Sequence, residues 1–168
     1  GMINDVLERS DFDLTEAAPK DGTALEALRS GDRRALARVI TALENGAYGD
    51  GFRKGLIDAA EGSKAPALGI TGTGGAGKSS LTDELVRRFR LDQQDRLKIA
   101  ILSVDPTRRK TGGALLGDRI RMNALGGPGI FMRSLATRDS GAEIAQCLPE
   151  AIAAARAAGY DLVVAETS

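Results

Sequence analysis

The apolar positions change their period once along the chain, and that change divides it. Between residues 23 and 61 they recur every three or four residues, the spacing that lines one face of an α-helix. Leu25 and Leu28 precede a stop at Gly31, and Asp32 then caps a run with Leu36, Val39, Ile40 and Leu43 on one face. Asn45 and Gly46 end that helix, and a third, over 51–61, sets Phe52, Leu56 and Ile57 at helical spacing. After Pro66 the pattern becomes short apolar runs at 67–71, 97–104, 130–134 and 161–166, separated by helical stretches. One such helix starts near Lys78 and is expected to turn Leu81, Leu85, Val86 and Phe89 toward a sheet, and an alanine-rich one ends at Gly159. Right-handed crossovers then give an α/β fold, a mostly parallel sheet with flanking helices, preceded by a small helical segment. The expected organisation is a flexible acidic leader over 1–20, helices over 21–65 and the α/β part over 66–168.

Composition narrows the chemistry. With 168 residues and 42% hydrophobic content the chain can bury one sizeable core. Lys plus Arg equal Asp plus Glu at 23 each, so no global charge points to a nucleic acid or an anionic membrane. No apolar run approaches a membrane span, and Met2 is followed by Ile3, Asn4 and Asp5 rather than a signal region, so a cytoplasmic location is expected. Gly1 before Met2 reads as a remnant of an expression vector. The single cysteine, Cys147, excludes an internal disulfide and is read as an inert helix residue. The absence of histidine removes serine-hydrolase triads and imidazole ligation. Chemistry must rest on backbone amides, Lys, Ser, Asp, Glu and a bound metal.

The stretch Gly72, Thr73, Gly74, Gly75, Ala76, Gly77, Lys78, Ser79 matches G-x-x-x-x-G-K-[ST] in full, between a strand and a helix. Its glycines let successive amides point at phosphate oxygens, and the new helix adds its positive end. Lys78 can reach the β- and γ-phosphates, and the Ser79 hydroxyl, with Ser80 beside it, can meet Mg2+. This is a P-loop. Three acids are candidates to complete the metal site: Asp105 after the second run, Asp118 in a glycine-rich segment, and Glu166 at the end of the last run. Between Asp105 and Asp118 lie Arg108, Arg109 and Lys110, a basic stretch suited to ordering around a γ-phosphate or simply to facing solvent. Arg119 and Arg121 follow on an expected short helix, fit for a partner surface or for surface ion pairs.

The P-loop run 69–80, Ser103-Val104-Asp105-Pro106, the segment 112–122 and Val163-Val164-Ala165-Glu166-Thr167 together resemble the ArgK-type (MeaB-like) GTPases. These are G-protein chaperones of adenosylcobalamin-dependent acyl-CoA mutases, under an older label LAO/AO transport ATPases, and the likeness is greatest to the G domain within fused isobutyryl-CoA mutases. The resemblance runs from about Leu25 to the last residue. It implies GTP or GDP with Mg2+ as ligands, hydrolysis coupled to cobalamin loading and protection, and a mutase partner, fused or separate, that alone holds the cobalamin. By position it gives Lys78 and Ser79 the phosphate and Mg2+ roles, Asp105 and Asp118 those of switch-loop acids, and Glu166 that of a Walker-B-like acid. A homodimer is left open.

Two departures bear on the 168 residues themselves. They stop before the glycine of a second switch, and they contain no Asn-Lys-x-Asp element to read guanine, so a fragment that is inactive alone is expected. The competing readings are a P-loop small-molecule kinase or ATPase, and a phosphate-binding module without turnover. Because phosphate contacts are blind to the base, these residues should bind GDP and ADP weakly and within a few-fold of each other. Calorimetric titration with both nucleotides checks this. A guanine preference above about 100-fold, roughly 2.7 kcal/mol, would show that residues within the chain read the base.

Overall fold

The computed structural model describes residues 20–105, 125–136 and 147–167. The acidic leader up to residue 19 and Arg108, Arg109, Lys110, Asp118, Arg119 and Arg121 lie outside the described residues. Three helices come first: α1 (Asp21–Arg29), α2 (Arg33–Glu44) and α3 (Asp50–Glu61). Asp32 caps α2 by accepting the Arg34 N–H at 3.0 Å, and Leu36, Val39, Ile40 and Leu43 are all buried along one stripe. On α3 the buried residues are Phe52, Leu56 and Ala60, whereas Ile57 is 44% exposed, against expectation. One residue on from Leu56 is a rotation of about 100° around a helix, which carries Ile57 off the buried stripe.

Four strands follow, β1 (Ala67–Thr71), β2 (Ile99–Asp105), β3 (Ile130–Ala136) and β4 (Leu162–Thr167), with α4 (Lys78–Asp92) after β1 and α5 (Leu148–Ala157) before β4. They form one parallel sheet in the order β1-β4-β2-β3, with helices against both faces, the α/β architecture that the change of period predicts. β2 starts two residues inside its apolar run. Lys98 is instead spent closing the base, where its N–H donates to Asp161 Oδ2 at 2.8 Å and its carbonyl accepts the Asp161 N–H at 2.8 Å. β3 runs past Ser134 because its ladder with β2 continues to the pair Asp105 and Ala136.

Strand alternation sends side chains to two cores. Ala100, Leu102, Val104, Phe131, Leu135, Val163 and Ala165 face α1, α2, α3 and α5 in one hydrophobic cluster. Ile70, Ile99, Ile101, Ile130, Met132, Leu162 and Val164 face α4 in the other. The alanines of α5 (151, 153, 154 and 155) are buried, and their small size brings that helix close to α3 and the sheet. Cys147 caps the start of α5 rather than lying within it, half-buried beside the core. Tyr160 packs against Phe131 with ring centroids 6.0 Å apart, and burial pushes its phenol up.

The expected apolar face of α4 is only partly covered. Val86 is buried and Leu85 packs beside it, but Leu81 is 53% and Phe89 36% exposed. The reason is topological: α4 packs over β1 and β4, and β1 is the edge strand of the described sheet, so no further described strand lies beyond it to cover the outer side of the helix. Among the described residues no helix is long and apolar enough to cross a membrane.

One charged pair ties the helical layer to β3. Arg133 Nη2 donates to Glu44 Oε2 at 2.7 Å and to Thr41 Oγ1 at 2.9 Å, with both charged side chains at or below a quarter exposed. Removing one partner strands the other, whereas replacing both by apolar residues leaves no stranded charge. Glu44→Ala and Arg133→Met should therefore each cost about 2 kcal/mol and the double variant Glu44→Leu/Arg133→Met about 1 kcal/mol or less. Chemical denaturation of all three checks this, and a double variant that loses as much as the two single variants added together would overturn it.

Candidate functional site

Parallel strands deliver their C-terminal ends to one edge of the sheet, and β1 opens there into the loop 72–77. Within it the Ala76 N–H donates to the Thr73 carbonyl at 3.2 Å, closing a tight turn. Gly75 and Gly77 hold φ of 79° and 80°, a region that costs an L side chain about 1–2 kcal/mol. A Cβ at either position would meet nothing within 4 Å, so glycine is required there by conformation rather than by space. Gly77 is the N-cap of α4, and its carbonyl accepts the first helical bond from the Leu81 N–H at 2.9 Å. The turn thus sets a concave run of backbone at the positive end of a 15-residue helix.

Lys78 is the first residue of that helix. Its ammonium folds back over the loop and donates to the carbonyls of Gly72 and Thr73, the latter at 2.9 Å. Two carbonyls hold the charge over the concave side, where an anion would meet it. Gly74, Gly75, Ala76, Gly77, Ser79 and Ser80 are exposed, and Gly72 and Lys78 half-buried, so the loop is open to solvent. Thr82, four residues on, is fully buried and donates to the Lys78 carbonyl at 3.1 Å. Sequence reasoning overlooked it, although its i+4 spacing from Lys78 on the inner face was a usable signal.

Among the three candidate acids, Glu166 is placed most fully. It is 3% exposed on β4, in register with Ile70 of β1, one residue before the pair Thr71 and Thr167 that leads into the loop. The backbone of Asp105 ends β2, two residues beyond Ser103, which is the register partner of Glu166. Both therefore stand at the P-loop edge, as the strand ends predict, and Asp118 lies outside the described residues. Further along α4, Glu84 accepts from Arg87 and Arg88 at 2.8–3.0 Å, and these bonds pull its carboxyl down to about 2. That pairing occupies the two arginines on an exposed flank. Arg90 meets Asp95 at 2.6 Å and reaches the Leu125 and Gly126 carbonyls at 3.3 Å, fixing the end of α4 to the approach of β3.

A strand, a glycine turn in left-handed conformation and a helix that opens on a clamped lysine define a P-loop nucleotide-binding protein of the α/β class. Comparison with known proteins places it more narrowly. The profile of the methylmalonyl Co-A mutase-associated GTPase MeaB matches residues 36–168, and the chain belongs to that family. It is 62% identical over 168 residues to the fused isobutyryl-CoA mutase of Cupriavidus metallidurans, covering all of this chain and 15% of that protein. It is 33% identical over 171 residues to a mitochondrial methylmalonic aciduria type A homolog of Caenorhabditis elegans, covering 94% of this chain and 42% of the homolog. A crystal structure of an LAO/AO transport system kinase superposes with a TM-score of 0.59 at 29% identity, over 88% of this chain and 42% of that one. The 168 residues thus span between 15% and 42% of the length of these proteins.

The geometry separates two contributions to phosphate binding. Lys78→Ala removes a charge-assisted contact and should weaken diphosphate binding by roughly 1.5–3 kcal/mol. Gly77→Ala keeps the charge but strains the turn, and should weaken binding by about 1–2 kcal/mol. Calorimetry with a nucleoside diphosphate checks both, and unaltered binding in Lys78→Ala would remove the loop from the site.

Proposed function

We propose that this chain binds GTP and GDP with Mg2+ at the 72–79 loop and, within the longer proteins of its family, hydrolyses GTP as a chaperone of an adenosylcobalamin-dependent acyl-CoA mutase. Hydrolysis would be coupled to loading cobalamin into the mutase and protecting it there, in the cytoplasm. The observation that carries this reading is the Lys78 ammonium held over an open loop of left-handed glycines, in a chain of the MeaB family. The fused isobutyryl-CoA mutase relative supports a mutase as the partner.

In this reading the backbone amides of the loop seat the phosphates and fix them at the start of α4. Lys78, whose ammonium is held over the loop by the Gly72 and Thr73 carbonyls, meets the β- and γ-phosphates there. Ser79 and the acids Asp105, Asp118 and Glu166 would hold the metal. When bound, Mg2+ neutralises charge on the β- and γ-phosphates. The open loop and the buried carboxylate beside it fit such a ligand.

The test uses a longer protein that contains these residues. Asp105→Ala, Asp118→Ala and Glu166→Ala should each lower GTP turnover more than nucleotide affinity, and an added mutase should change turnover of the unaltered protein. Turnover unchanged in all three variants sinks the hydrolytic assignment, and indifference to the mutase sinks the chaperone assignment.

A further inference from the structure

We draw no further inference here: the strongest candidate, the surface patch at the β1 edge of the described sheet, where Leu68 of β1 and Leu81 and Phe89 of α4 are exposed, carries nothing, because nothing in the structure shows what covers it.

Discussion

The pairing of β4 between β1 and β2 is the constraint on which the rest of the molecule depends. β4 is the last of the four described strands in sequence, yet it occupies an inner place in the sheet, and Val163 and Val164 on its two faces are almost fully buried. Through β4 the P-loop strand joins β2 and β3, because β1 has β4 as its strand neighbour in the described sheet. The contacts that form the site are therefore non-local, with Ile70 set beside Glu166 nearly a hundred positions later. A sheet of this kind closes late in folding, since the entropy of a long loop is lost before its pairing is gained.

That pairing fixes where the site lies, whereas its conformation is local. The left-handed turn at Gly75 and Gly77 and the start of α4 are specified within eight residues, and the Lys78 clamp uses carbonyls of the same loop. An anion cradle of this sort needs no partner from elsewhere. What distant strands contribute is carboxylate: Glu166 arrives on β4 and Asp105 at the end of β2. In the proposed reading, phosphate affinity and metal-linked chemistry would thus reside in separable parts of the structure, one local and one assembled by topology.

This division also explains how much the sequence discloses. The P-loop, the α/β alternation and the helical faces of α2 were legible because each is encoded in consecutive residues through glycine placement, apolar period and the Asp32 cap. The exposure of Leu81 and Phe89 was not legible, because periodicity states which residues share a helix face and not whether a strand lies beneath it. Ile57 was misplaced through counting adjacent apolar residues as one stripe. Strand order was equally hidden: four apolar runs are compatible with several sheets, and nothing in the runs themselves sets β4 between β1 and β2.

The two faces of β3 show how site and helical layer are joined. Along that strand Phe131, Arg133 and Leu135 point to the helical layer, and Ile130, Met132 and Ser134 to the α4 face. Arg133 is fastened to Glu44 and Thr41 of α2, so a shift of α2 along β3 must break a charged pair at low exposure. Ser134, the next residue, stands in the same register row as Glu166, two strands away. Consecutive residues of an extended strand cannot move independently, because their peptide plane is rigid and both neighbours are held. The helical layer and the row under α4 are thus joined through a single peptide unit, that between Arg133 and Ser134.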